Sequence, residues 1–120
     1  MDNATIEKTL QAWATENKVT PQSMNSDGQP YFELRWQRLH DGAHAYIDVY
    51  PQEDDVIIVQ HGIALDGGPR QHGGINRWCS RDLRSNLTHL KAAIDQSGAP
   101  QHRSYTPRPK LGTVASLKLR

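Results

Sequence analysis

YFELRWQRLHDGAHAYIDVY, residues 31–50, decides the reading of the fold. Phe32, Leu34 and Trp36 alternate with Glu33, Arg35 and Gln37, the period-2 pattern of a strand with one face buried. Asp41-Gly42 follows, a dipeptide suited to a tight type I′ hairpin because both central residues there need positive φ. On the return, Ala45, Ile47 and Val49 share one face while His44, Tyr46, Asp48 and Tyr50 share the other. Residues 31–39 and 44–50 are thus expected to form two antiparallel strands.

Outward from this pair, Pro51–Asp55 is a turn holding three acids, and Val56-Ile57-Ile58-Val59 is continuously apolar. Such a run predicts a third strand covered on both faces. Upstream, Ile6, Leu10, Trp13 and Ala14 recur at helical spacing over residues 4–17, with Asp2, Asn3 and Thr5 as capping residues. Ser23–Pro30, with Asp27-Gly28 inside it, has the composition of a turn-rich connection. Downstream, residues 62–76 hold five of the nine glycines (Gly62, Gly67, Gly68, Gly73 and Gly74) and suggest a long loop. Arg77–Gln96 then reads as a second helix with the apolar seam Cys79, Leu83, Leu87, Leu90 and Ile94, stopped by Ser97-Gly98 and Pro100.

The expected fold is therefore α+β in the order α-β-β-β-α: a three-stranded antiparallel meander with two helices packed on one face. One domain spans residues 1–100. Residues 101–120 form a basic, Pro-containing tail in which Thr113–Leu119 suits a fourth, edge strand.

Composition narrows the class of function. A chain of 120 residues with 36% hydrophobic residues supports one core. The single cysteine, Cys79, excludes an internal disulfide and a cysteine-based zinc cluster. The N-terminus is polar and no run of 18 apolar residues occurs, so a cytoplasmic protein with no membrane partner is expected. Net charge is +1 but unevenly spread: residues 1–69 carry four basic and eleven acidic side chains, residues 70–120 ten and two. Polarity of this kind points to an anionic partner for the basic half.

The candidate anion site follows from the second helix. On a helical wheel Arg77, Arg81, Arg84, Thr88 and Lys91 form a basic ridge beside the apolar seam, with Trp78 next to it. Arg70 and His72 in the preceding loop would close over the helix N-terminus, where free N–H groups favour an anion. The plainer reading is a solvated face with Lys91 paired to Asp95. The glycine spacing fits neither a P-loop nor a dinucleotide fingerprint.

His40, His44, His61 and His72 show no metal-ligand spacing, Cys79 lacks a catalytic triad, and no cofactor is implied. The first expectation is a non-enzymatic protein that binds nucleic acid, or another polyanion such as an acidic protein, through Arg70, His72, Arg77, Trp78, Arg81, Arg84 and Lys91. The alternative is a protein-binding antagonist or accessory factor acting through the hairpin residues Asp41, Tyr46, Asp48, Tyr50, Glu53, Asp54 and Asp55. A weaker third is a small-ligand binder or enzyme using the Gly-rich loop. Opposite charge on the two halves, with an uncovered edge strand, also makes a homodimer plausible.

Overall fold

Alternation in residues 31–50 does produce two paired strands, and three more join them. The computed structural model describes residues 1–64 and 70–97. Its order is α1 (Asn3–Asn17), β1 (Thr20–Ser26), β2 (Gln29–Gln37), β3 (His44–Pro51), β4 (Val56–Ala64), β5 (Arg70–Cys79), a 3-10 turn (Ser80–Asp82) and α2 (Leu83–Gln96). The strands form one antiparallel sheet in sequence order. The class is the expected α+β, but the meander has five strands.

Both added strands are edges, and edges carry little alternation. β1 is exposed at every position except the half-buried Met24, so no apolar rhythm marks it. It joins β2 through Asp27 (φ 52°) and Gly28 (φ 84°), so the two-residue hairpin lies here. At Asp41-Gly42 only Gly42 has positive φ (71°), and residues 38–43 make a wider loop.

β5 replaces residues 70–76 of the expected loop and the first turn of the expected helix. A Cβ on Gly73 would lie 2.8 Å from the His61 ring, and Gly74 sits at φ 156° beside a register shift opposite His61/Gly62. These glycines serve a bulge and a close packing contact within a strand. α2 therefore starts at Leu83 rather than at Arg77. Gly67, Gly68, the tail at 101–120 and its candidate strand Thr113–Leu119 lie outside the described residues.

The two helices share one face of the sheet. Ile6, Leu10, Trp13 and Ala14 of α1 and Leu83, Leu87 and Ile94 of α2 pack on Leu34, Trp36, Ile47, Val49, Ile57 and Val59. Both core indoles find acceptors: Trp13 Nε1 donates to Thr88 Oγ1 (3.1 Å) and Trp36 Nε1 to Asp95 Oδ1 (2.7 Å). Val56 and Ile58, on the opposite face of β4, are only half-buried, so the expected cover on both sides of that strand is incomplete.

Arg38 locks α2 to the β2–β3 loop. It is 3% exposed, and its Nη1 donates to Ile94 O (2.9 Å), Ser97 O (2.8 Å) and Ser97 Oγ (2.8 Å). The opposite edge of the guanidinium is bidentate on Asp41, whose Oδ1 also accepts from Ala43 N. The last carbonyls of α2 are satisfied by a fixed cation, favourable at a helix C-terminus.

Replacing Arg38 by Met is expected to cost about 2–4 kcal/mol in urea unfolding, because it strips charged hydrogen bonds from buried carbonyls. The Arg38 hydrogen bond holds the Asp41 carboxyl down at about 2. A lowered pKa means stability present above the usual carboxylate value of 3.8 and lost as pH falls from there towards about 2. Asp41→Asn should flatten that part of the acid-unfolding curve.

Candidate functional site: the uncovered face of the sheet

Pleating sends Tyr31, Glu33 and Arg35 of β2 and Tyr46, Asp48 and Tyr50 of β3 to the side opposite the helices. No described helix covers this side, yet Tyr46 is 3%, Asp48 2% and Glu33 8% exposed. The cover is local and comes from β5. Arg70 lies with its guanidinium carbon 3.4 Å from the Tyr46 ring centroid, and its Nη2 reaches Asp48 Oδ2 at 3.1 Å and Glu33 Oε2 at 3.5 Å.

Glu33 and Asp48 are direct cross-strand partners, a like-charge pairing that is unfavourable on its own. A shared guanidinium offsets it. Arg70 is suited to this because one face stacks on the ring while its edge donates to carboxylates. Burial nevertheless pushes the Asp48 carboxyl up, with Arg70 opposing the shift. Asp48 Oδ1 is buried with no hydrogen-bond partner among the described residues.

A second bridge crosses β4. Tyr46 Oη shares a 3.0 Å hydrogen bond with His72 Nδ1, reaching over Gly62. A Cβ on Gly62 would stand 2.7 Å from that hydroxyl and 2.1 Å from Gln71 O. Only glycine lets the tyrosine on β3 touch the histidine on β5. Beside this cluster Tyr31 and Tyr50 stack with centroids 4.6 Å apart, and Ile75 projects 67% exposed from β5.

Side chains named from sequence scatter over three regions. Arg70, His72 and Arg77 lie on β5, with Arg77 exposed and opposite Ile58. Trp78 pairs with Ile57 and packs against the core instead of joining a ridge. Arg81 sits in the 3-10 turn; Arg84 and Lys91 remain on α2, bound to Glu16 (2.5 Å) and Asp95 (2.7 Å). The wheel arc from Arg77 to Lys91 therefore does not form, because Arg77 lies on a strand and Arg81 in the 3-10 turn.

The acidic set is divided as well. Asp41 belongs to the Arg38 clamp, while Glu53, Asp54 and Asp55 occupy the β3–β4 turn at the other end of β3. Tyr46, Asp48 and Tyr50 stand on the uncovered face between them. Glu33 is legible in the sequence, since it shares the polar phase of its strand with Tyr31 and Arg35; Gly62 is not, because its role depends on register. No group of three or more His, Cys, Asp or Glu side chains able to hold a metal occurs among the described residues. No helix among them is long and apolar enough to cross a membrane.

No protein-family model, curated protein or solved structure matches this chain.

Gly62→Ala is expected to destabilise the fold by about 1–3 kcal/mol, the cost of overpacking, since backbone on β5 must move. The raised Asp48 pKa means the folded state holds that proton more tightly than the unfolded chain does. Its contribution to stability is therefore greatest at low pH and declines as pH rises above the usual carboxylate value. Relative to wild type, Asp48→Asn should gain stability as pH rises from about 4 to 7, read from urea midpoints at each pH.

Proposed function

We propose that the protein is a non-enzymatic binding module that docks an acidic protein surface on the uncovered face of its sheet. The observation that carries this reading is the vertical order of charge on that face. The acids Glu33 and Asp48 are sunk, at 11% and 3% side-chain exposure, whereas Arg35 and Arg70 stand above them at 55% and 41%, with Arg77 exposed nearby. A partner meets guanidinium groups, the Tyr31–Tyr50 stack and Ile75. Arginine and tyrosine at the centre of a patch are the side chains that anchor protein interfaces.

Nucleic acid is the second reading, and the charge of the described residues weighs against it there. Residues 1–64 and 70–97 carry nine basic and twelve acidic side chains, a net −3, so the overall +1 comes from residues 65–69 and 98–120. The described residues thus carry no excess of basic charge with which to attract a polyanion. Of the basic side chains of the expected anion site, Arg70, Arg84 and Lys91 are already paired. Ile75 and the stacked tyrosines favour a mixed apolar and acidic protein patch over a phosphate backbone.

The test compares two charge reversals in affinity capture from the host cell and in anisotropy titrations. Arg35→Glu with Arg77→Glu on the sheet should abolish retention of a protein partner, while Arg84→Glu with Lys91→Glu on α2 should leave it within about twofold of wild type, as expected for a site remote from the contact. Titrations with single-stranded DNA, duplex DNA and duplex RNA should show no saturable binding at physiological salt. Saturable binding to any of these with a steep salt slope would replace the protein reading with nucleic acid.

A further inference from the structure

On the helix side, the end of β4, the start of β5 and the C-terminal half of α2 border a half-open cavity of about 390 Å³. Ile63, Leu90, Ala93 and Ile94 give it an apolar wall, and His61 and Gln71 add polar groups. Its volume falls in the range of small-molecule sites, which pair an apolar lining with few polar groups.

His61 is the side chain that makes this more than a packing gap. Its ring is half-buried and makes no hydrogen bond among the described residues. Of the other polar neighbours, His72 Nδ1 is held by Tyr46, Ser97 Oγ accepts from Arg38 and donates to Ile94 O, and Gln71 lies exposed at the rim. Burial, with His72 as a lesser cause, lowers the His61 pKa, leaving a neutral imidazole with one donor and one acceptor. The fold sets the ring in place, since a Cβ on Gly73 or Gly74 would come within 2.8 Å or 3.2 Å of it.

We propose that this cavity binds a small, largely apolar ring compound carrying one hydroxyl group, with that hydroxyl on the imidazole of His61. A ring fits the apolar wall between Ile63 and Leu90. A single hydroxyl fits because His61 is the one unspent polar side chain fixed by packing, and a charged group would lack a counter-ion among the lining residues. The inference is independent of the docking reading, which concerns the opposite face.

p-Cresol and toluene, differing by one hydroxyl, are the probes. Titrated into the full-length protein with methyl NMR detection, p-cresol should shift Ile63, Leu90 and Ile94 saturably with a Kd of about 1 mM or tighter. Toluene should bind about 3- to 10-fold more weakly, the worth of one hydrogen bond. His61→Leu should erase that difference, and Ala93→Phe, an exposed position on α2 at the cavity wall, should fill the space and abolish binding without altering the rest of the spectrum. Absence of saturable shifts at about 5 mM p-cresol, equal affinity for both probes, or binding unchanged by Ala93→Phe would each overturn the proposal.

Discussion

The sheet's uncovered face depends on one arginine. Glu33 and Asp48 oppose each other on neighbouring strands, and both are removed from water with no described helix above them. In an environment of low effective dielectric two directly opposed carboxylates repel unless a cation offsets them. Arg70 supplies it from β5, two strands from Glu33's own neighbour, and stacks on Tyr46 as it does so. The same reach ties the edge strand to the centre of the sheet through side chains as well as through the β4 ladder. An edge strand containing Gly73 and Gly74 has little packing of its own, so this side-chain anchoring is part of why residues 70–79 hold as a strand.

Two halves of the fold differ in how plainly the sequence declares them. β2, β3 and α1 have one buried face each, and burial writes periodicity into sequence, while β4 shows as a continuous apolar run. Phe32, Leu34 and Trp36, or Ile6, Leu10 and Trp13, could be placed from spacing alone. β1 and β5 are edges exposed along most of their length, so selection for burial leaves no rhythm in them. Their compositions, one rich in polar residues and the other in glycine, are those of loops. Arg77, Trp78 and Cys79 lie on β5 and not on a helix, so strand geometry dissolves the basic ridge that a helical wheel draws.

The candidate site was legible in its chemistry and not in its assembly. Tyr31, Glu33, Arg35, Tyr46, Asp48 and Tyr50 are the polar phase of two alternating strands, and that phase is visible in the sequence. What joins them is Arg70 and His72, which reach the cluster only because the bulge opposite His61/Gly62 sets β5 in the register that puts His72 across from Gly62. Register of an edge strand is set by tertiary contacts and bulges, neither of which a single sequence exposes.

Gly62, Gly73 and Gly74 also explain how one short stretch of β4 and β5 serves both sides of the sheet. On the uncovered side the missing side chain of Gly62 admits the Tyr46 hydroxyl to His72. On the helix side the missing side chains of Gly73 and Gly74 admit the His61 ring, which borders the cavity beside α2. Glycines that weaken a strand by backbone entropy are here concentrated where two aromatic side chains approach the backbone from opposite faces. The two faces are therefore mechanically adjacent through a wall one backbone thick. Arg70 and His72 hold that wall from above, and the packing of His61 supports it from below.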